Sequence, residues 1–260
     1  MVITSVSNPW IKEVMSIKKR HAFYRNEAFW AEGLKVVLMA LGSGAEIKRL
    51  FYTADNAAAI DKLNSGAFEV IEVSGHVMDK LTETRTPQGV VAVVHKDVPP
   101  LGELVIEGTA LVVVCDRVKD PGNCGAIIRT ADALGAGAVI VLPRTCNPFS
   151  PKVVRATAGS IFNIPVVYAS AEGLLSWVRQ RGITPVVTTP HAGIAINKAD
   201  LTIPLALIVG EESAGIDPGL IDRAELSVNI PMIGAAESLN VAACTSICLY
   251  EAQRQRRKWL

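Results

Sequence analysis

The feature that most constrains the fold is the series of short apolar runs after residue 110, several of them separated by helical patterns. The runs are ALVVVC (110–115), AVIVL (138–142), PVVY (165–168), TPVVTT (184–189), LALIVG (205–210) and SVNI (227–230). Helical spacing is found over 123–135, 171–181 and 239–257. Strands that are apolar on both faces are typical of a parallel sheet covered by helices on both sides. The sequence therefore predicts an α/β fold with a mainly parallel sheet.

The N-terminal part of the chain has a different pattern. NPWIKEVMSIKKR (8–20) has a helix start signal and amphipathic spacing, whereas RLFYT (49–53), FEVIEV (68–73) and GVVAVVHK (89–96) are short β-rich runs. Two prolines and two glycines then interrupt the periodicity in KDVPPLGELVIEG (96–108). We therefore predict a small N-terminal α/β domain at 1–97, a linker at 98–108 and a larger domain at 109–260.

Composition limits the class of protein. Half of the 260 residues are apolar and a fifth are charged, as in soluble globular proteins. No apolar run approaches the ~20 residues that span a bilayer, so no membrane segment is expected. The five cysteines are scattered without a CxxC pair, which favours buried thiols over a metal site and indicates a reducing, cytoplasmic compartment.

Charge is informative only locally. The formal net charge of +1 favours neither a polyanionic nor a neutral partner. Basic residues are concentrated near the N-terminus, where Lys18, Lys19 and Arg20 follow one another, and at the C-terminus over 254–258. These clusters are either solvated helix faces or contacts to nucleic acid.

The first stretch with chemical character is DPGNCGAIIRTADALGAG (120–137), directly after an apolar run. A strand, a glycine-containing turn and a helix are also the start of a dinucleotide-binding fold. That fold requires G-x-G-x-x-G and an acid after the second strand, whereas this turn reads P-G-N-C-G and the second strand ends in LPRT. A Rossmann oxidoreductase is therefore disfavoured on two counts.

The second and third stretches are IVGEESAGI (208–216) and the segment beginning NIPMIG (229–234). The former is not a nucleophile elbow, because G-x-S-x-G is absent; it places Glu211 and Glu212 between two glycines. In the latter, Ser238 is predicted to be the N-cap of the last helix. SLN (238–240) also places a hydroxyl and an amide where backbone N–H groups point outward.

Together the three stretches resemble the signature motifs of the SpoU–TrmH class of RNA ribose 2′-O-methyltransferases, in the SPOUT superfamily. N-x-x-x-x-x-R is present as Asn123 and Arg129, and G-x-E-x-x-G as Gly210, Glu212 and Gly215. The third motif is present as IPMIG (230–234), SLN (238–240) and LYEA (249–252). Further resemblance to the family's N-terminal substrate-binding domain is found in ITSVSNPWIKE (3–13), FWAEG (29–33) and TPQGVVAVV (86–94).

The resemblance implies a fold, a cofactor and a set of site residues. Members of the family bind S-adenosyl-methionine in a deep trefoil knot, a rare exception to unknotted topology, and work as homodimers without a metal. Cofactor contacts are then expected from Thr189, Gly210, Ile230 and Leu239. The residues implied for methyl transfer are Asn123, Arg129, Glu212, Ser238 and Asn240.

The resemblance leaves the role of Arg129 open. The family's usual proposal makes this arginine the base that activates the ribose 2′-hydroxyl. A guanidinium has a pKa above ~12 and accepts protons poorly, whereas it clamps phosphates well in bidentate geometry. In either role, the resemblance implies that Arg129 acts from the neighbouring subunit's side of a dimer interface.

The implied substrate is RNA, with ribosomal RNA favoured over transfer RNA because tRNA-modifying relatives often lack such an N-terminal domain. Phosphate contacts are expected from the N-terminal cluster, Lys18, Lys19 and Arg20, and from Arg144, Lys152 and Arg155, although solvated helix faces are the alternative. A non-catalytic RNA-binding or ribosome assembly factor is the competing class. It is disfavoured because Arg129 and Asn240 are both present.

Overall fold

The structure is a computed structural model, and it describes residues 2–19, 28–62, 67–84, 86–96, 98–190, 193–211 and 214–257, with the side chains of 17–19 left out. The chain divides into two compact units. The first combines Met1–Asp97 with Phe149–Phe162, and the second combines Val98–Pro148 with Asn163–Leu260.

The first unit is built on a four-stranded sheet with the order β1-β4-β2-β3. β4 pairs antiparallel with β1 and β2, whereas β2 and β3 are parallel. Its elements are α1 (Pro9–Lys19), β1 (Ala28–Glu32), α2 (Leu34–Gly42), β2 (Ile47–Tyr52), α3 (Ala57–Asp61), β3 (Glu69–Glu72), α4 (Gly75–Leu81), β4 (Val90–His95) and α6 (Pro151–Ala156). The helix predicted at the N-terminus and all three predicted strands are present.

Burial in the first unit explains a strand that periodicity did not predict. Every residue of β1 is buried, so its sequence AFWAE has no polar face to give an alternating pattern. Phe29 packs against Phe149 and Phe162, with ring centroids 5.1 and 5.8 Å apart. Trp30 points to the other side of the sheet, where it belongs to the same hydrophobic core cluster as Ile11 and Phe51. Both aromatic residues therefore belong to the core of this unit.

The second unit confirms the predicted mainly parallel sheet. Its seven strands have the order β7-β6-β5-β10-β8-β11-β9, and every recorded pairing in this sheet is parallel. Its elements are β5 (Leu111–Asp116), α5 (Pro121–Ala133), β6 (Ala138–Val141), β7 (Val166–Tyr168), α7 (Ala171–Arg181), β8 (Thr184–Thr188), β9 (Ile194–Ala195), β10 (Leu205–Gly210), α8 (Pro218–Ile221), β11 (Leu226–Asn229) and α9 (Val241–Arg257).

The C-terminal basic residues are in part structural. The Arg256 guanidinium donates hydrogen bonds to the backbone carbonyls of Thr109, Ala110 and Leu201, at 2.8 to 3.1 Å. Gln255 adds bonds to Ala199 and Leu201. The last turns of α9 therefore hold the segment before β10 in place, and this use of Arg256 replaces the solvated face that the charge run suggested.

Two segments belong to a different part of the fold from the one that the predicted domain boundaries assign to them. Residues 149–162 were placed in the domain 109–260, but their contacts are with the first unit. Residues 98–108 were expected to form a linker, yet Leu104 is 3% exposed and belongs to the core of the second unit. Neither contact is local in sequence. No helix within the described ranges is both long and apolar enough to cross a bilayer.

Candidate active site

The carboxyl ends of β5, β8, β10 and β11 meet at one edge of the parallel sheet. β10 is central, pairing with β5 up to Gly210 and Asp116, and with β8. The loops that follow these strands therefore all leave from the same edge, where open α/β sheets bind ligands. The chemically distinctive stretches predicted from the sequence are these loops and the two helices that follow them.

A cavity of about 290 Å³ lies at this edge. All four residues expected to contact a cofactor line it, as does Ser238. The remaining lining residues come from the strand ends, the loops that follow them and α9: Thr188, Pro190, Glu211, Ala214, Gly215, Ile216, Val228, Met232, Val241, Cys244 and Cys248. The wall is largely apolar with a few hydroxyl and thiol groups, the lining typical of pockets for ligands with aromatic rings.

Gly210 is required by the fold of the loop itself. A Cβ atom at this position would lie 2.6 Å from the carbonyl carbon of Gly215 and 2.7 Å from Cγ1 of Ile216. The loop turns back on the strand end, where Gly215 N–H donates to the Glu211 carbonyl at 2.8 Å with a left-handed φ of 66° at Gly215. Glycine is therefore needed at position 210 for the close approach of two backbone segments of the protein.

Two caps place the amide side chains. Asp120 caps α5, because its Oδ1 accepts a hydrogen bond from the backbone N–H of Asn123 at 2.8 Å. Asn240 caps α9, because its Oδ1 accepts from the N–H groups of Ala242 and Ala243 at 3.0 and 3.3 Å. The prediction that Ser238 caps this helix is wrong, since α9 begins at Val241. Ser238 is instead exposed at the cavity wall.

The cap on α9 fixes which way the Asn240 amide points. With Oδ1 committed to the helix N–H groups, Nδ2 faces outward and donates to Asn123 Oδ1 at 2.9 Å. This hydrogen bond joins residues 117 positions apart. It brings together the first and third motifs at the start of two helices, beside a cavity that Leu239 and Val241 line.

Arg129 lies apart from this pair within the subunit. It is six residues after Asn123 on α5, which is about 9 Å along the axis and roughly 120° around it. Its side chain is exposed, and it is not among the described residues that line the cavity. Asn123 and Asn240 are therefore brought together by one chain, whereas Arg129 is not brought to them. Glu212, the remaining member of the predicted set, lies outside the described residues.

The predicted RNA contacts have varied surroundings. Arg144 is exposed in the turn after β6, and Lys152 is exposed on α6. Arg155 is an ion-pair partner in the first unit: its Nη1 lies 2.8 Å from Oε2 of Glu32, whose side chain is 2% exposed. Lys18 and Lys19 are on α1, with side chains that are not described, and Arg20 lies outside the described residues.

Three further residues at the site were not predicted. Asp120 has a signal in the sequence, since Asp followed by Pro is a helix start. Cys244 and Cys248 were assigned to the core, yet both line the cavity. A hydrogen bond from Cys248, with another from Thr188, lowers the pKa of Cys244 despite its burial. The pKa of Cys248 is raised by its hydrogen bond to Cys244 and by burial.

No cluster of metal-binding side chains occurs among the residues that the structure describes.

A parallel α/β sheet with a largely apolar cavity and two facing amides at its carboxyl edge is the architecture of a ligand-binding α/β domain. The chain belongs to the SpoU rRNA Methylase family, which residues 110–250 match. Residues 8–92 match a second family, the MRM3-like substrate binding domain. Together the two matches cover most of the chain.

Three individual proteins illustrate the similarity. The 23S rRNA (guanosine(2553)-2′-O)-methyltransferase RlmP of Bacillus subtilis is 32% identical over 248 residues, which cover 95% of this chain and 97% of that protein. The 23S rRNA (uridine(2479)-2′-O)-methyltransferase of Streptomyces viridochromogenes is 34% identical over 88% of this chain and 83% of its own length. The solved AdoMet-bound rRNA methyltransferase from Sinorhizobium meliloti is 36% identical, with a TM-score of 0.89 over 100% of this chain and 98% of that chain.

Proposed function

We propose that this protein transfers a methyl group from S-adenosyl-methionine to the 2′-oxygen of a ribose in ribosomal RNA. The hydrogen bond between Asn240 and Asn123 beside the cavity is the observation that carries the proposal. It joins the first and third motifs, with the amide of Asn240 as donor and the side-chain oxygen of Asn123 as acceptor. The two curated relatives support ribosomal RNA over transfer RNA, because both are named as 23S rRNA 2′-O-methyltransferases.

The lining of the cavity fits the cofactor. Ile230 and Leu239 provide apolar surfaces for the faces of an adenine ring, while backbone groups near Thr189 and Gly210 provide polar partners for its edge. The cofactor supplies a methyl group that is already activated by the sulfonium centre. The protein has to bind the cofactor, align a ribose hydroxyl with it and exclude water.

The amide pair belongs to the positioning machinery. Asn240 holds Asn123 in a fixed orientation at the start of α5, and Ser238 adds a hydroxyl at the same wall. Glu212 is assigned to the same task on the strength of the G-x-E-x-x-G motif. None of these groups has to accept a proton for the alignment to work. Their task is to hold the ribose and the loops in the reactive arrangement.

Arg129 binds a phosphate and orients the ribose in this proposal, because a guanidinium is a poor base and a good bidentate phosphate ligand. A homodimer provides the geometry, with Arg129 from one subunit completing the site of the other. Support comes from the exposed face of α9, where Ile247 is 39% and Tyr250 is 53% exposed. Large apolar side chains in one exposed row are typical of an interface.

The C-terminal loops form a deep trefoil knot in this proposal. The cavity is lined by three loops and by the first turns of α9, as the family's cofactor site requires.

The first unit, whose residues 8–92 match a substrate-binding domain, binds the RNA. Lys18, Lys19, Arg20, Arg144 and Lys152 are the proposed phosphate contacts. Arg155 is retained as a weaker candidate, because Glu32 already occupies its guanidinium. We also propose that the protein acts in the cytoplasm, a reducing compartment in which its cysteines stay as thiols.

The test is methyl transfer from labelled S-adenosyl-methionine into RNA. Purified protein is incubated separately with 23S rRNA that lacks modifications and with an equal mass of unmodified transfer RNA. The proposal predicts label in the 23S rRNA, absent when Arg129 is replaced by alanine. Label in transfer RNA alone would reverse the choice of substrate. Binding of RNA without transfer to either, in a protein that binds the cofactor, would favour the non-catalytic assembly factor.

A further inference from the structure

Glu211 is an acidic residue at the cavity to which the proposed methyl transfer gives no role. It follows Gly210 directly at the end of β10 and lines the cavity. Among the described lining residues, it is the only one with a carboxylate or an ammonium or guanidinium group. Its neighbour Glu212 is the residue that belongs to the family motif. The charge of Glu211 is therefore a separate property of this cavity wall.

The Glu211 carboxylate is only partly compensated. Its side chain is 19% exposed, and its Oε2 atom is shielded from solvent without a well-directed hydrogen bond. The described ion-pair partner of this atom is the ammonium group of Lys119, 2.8 Å away. The contact is therefore an ion pair rather than a directed hydrogen bond, and its charge attraction does not depend on angle.

Lys119 neutralises only part of the negative charge of the Glu211 carboxylate. Its side chain is 64% exposed, so its ammonium group remains largely hydrated and is screened by solvent ions. The carboxylate is much less exposed than its partner. A negative potential therefore remains at the cavity wall, and it acts on whatever the cavity holds. Because Glu211 itself lines the cavity, a ligand there lies close enough to the carboxylate for this attraction to act.

The two ligands that such a cavity must distinguish differ in charge. S-adenosyl-methionine has a sulfonium centre, and its demethylated product S-adenosyl-homocysteine has a neutral thioether instead. The two molecules otherwise share the same adenosine, amino and carboxylate groups. A carboxylate that is only partly compensated therefore attracts the donor more strongly than the product, because the donor has one more positive charge.

We infer that Glu211 is a specificity residue that makes the cavity prefer the cationic methyl donor over its neutral product, and that Lys119 moderates this preference. The inference rests on the proposed function, since it needs the cavity to bind this donor. Loss of the sulfonium charge during transfer removes the attraction. The product is then held less tightly than the donor and leaves more readily.

The test compares the dissociation constants of both ligands by titration calorimetry. Wild-type protein is measured beside Glu211→Gln, Lys119→Met and Glu172→Gln. Glu172 is the matched control, because it is ion-paired with Arg223 at 2.7 Å in the same unit but does not line the cavity. The quantity to compare is the ratio of the product's Kd to the donor's Kd. A general loss of fold or of cavity shape weakens both ligands by the same factor and therefore leaves this ratio unchanged.

We expect Glu211→Gln to lower this ratio roughly five- to tenfold, mainly by weakening the donor, as one partly screened unit charge would. Lys119→Met should raise it about two- to threefold, and Glu172→Gln should leave it unchanged. Lys119 is exposed, so this second variant tests the inference even if Glu211→Gln fails to fold.

Two failures have different signatures. If wild-type protein binds the donor but the ratio is unchanged in Glu211→Gln, or both ligands weaken equally, the inference is overturned while the proposed function stands. A ratio that stays constant in Lys119→Met, which removes the positive partner of the Glu211 carboxylate, likewise overturns the inference. Wild-type protein that binds neither ligand overturns the proposed function first.

Discussion

Asn240 donates a hydrogen bond from Nδ2 to Oδ1 of Asn123 at 2.9 Å, while its own Oδ1 caps α9. One side chain therefore starts a helix and holds a second motif at the same time. The two tasks use different atoms of the amide. They can be separated by changing one atom, since aspartate keeps the capping oxygen and loses the donor.

Asn240→Asp should leave stability nearly unchanged and reduce methyl transfer at least tenfold. Aspartate caps helices about as well as asparagine, but its second oxygen would face Asn123 Oδ1 without a proton to share. Asn240→Ala should lose activity and also about 1 kcal/mol of stability, because the cap is gone. Turnover and urea unfolding measure the two effects. Full activity in Asn240→Asp would mean that the hydrogen bond has no part in the reaction.

Arg129→Ala should abolish methyl transfer while the Kd for S-adenosyl-methionine changes only a few-fold, because Arg129 is not among the described lining residues of the cavity. Arg129→Lys should recover little activity, since an ammonium group cannot bind a phosphate in bidentate geometry. Calorimetry and a single-turnover transfer assay separate the two quantities. Severe loss of cofactor binding in a folded variant would show that Arg129 has been placed wrongly.

Arg155→Met should destabilise the first unit by about 2 kcal/mol, because it removes the charged partner of the buried Glu32 carboxylate. The loss is moderated by the backbone N–H groups of Glu83 and Thr84, which also donate to this carboxylate. Lys152→Met is the matched control, since Lys152 is exposed on the same helix. Unfolding curves are compared with RNA affinity. Weaker RNA binding at unchanged stability would instead favour the phosphate contact.

Gly210→Ala should impair cofactor binding at least tenfold and lower the melting temperature, because the new methyl group would overlap the backbone of Gly215. Gly102→Ala is the control, since a Cβ atom there has no neighbour within 4 Å. Thermal unfolding and calorimetry measure the effects. Normal cofactor binding in Gly210→Ala would mean that the turn of this loop does not shape the cavity.

Cys244 should react with iodoacetamide faster than Cys248, and at lower pH than an ordinary thiol. Hydrogen bonds from Cys248 and Thr188 lower the pKa of Cys244, so its thiolate, the reactive form, is present at lower pH. Cys115 should remain unmodified, since burial raises its pKa to about 12. Peptide mapping by mass spectrometry after brief labelling measures each site. S-adenosyl-homocysteine should protect Cys244, and equal labelling of Cys244 and Cys248 would contradict the assignment.

Six of the seven strands in the sheet of the second unit were predictable from the sequence, because each is a short apolar run typical of a parallel sheet. β9 (Ile194–Ala195) was not predicted, since two residues are too few to form such a run. The partition of the chain was less predictable. Residues 149–162 contact the first unit through Phe149, Phe162 and the pairing of Arg155 with Glu32, and these partners lie more than a hundred residues away in sequence. Local patterns carry no information about such a contact.

The cap of α9 shows a similar limit within the site. Ser238 and Asn240 are both good N-cap residues, two positions apart, so local preference does not decide between them. The structure uses Asn240, whose amide also binds Asn123 on another helix. The residue types at the site could thus be predicted from motifs. The pairing of Lys119 with Glu211 and the exposure of two cysteines to the cavity required the three-dimensional structure.

The most direct test of the central claim identifies the methylated atom. Unmodified 23S rRNA is incubated with the protein and S-adenosyl-methionine carrying an isotopically labelled methyl group, then digested to nucleosides for mass spectrometry. We predict a single labelled nucleoside that fragments to an unlabelled base and a labelled ribose. In an undigested aliquot of the same RNA, the phosphodiester bond 3′ to the labelled nucleotide should resist alkali. Label on a base, or no labelled nucleoside despite cofactor binding, would contradict 2′-O-methyl transfer to this RNA.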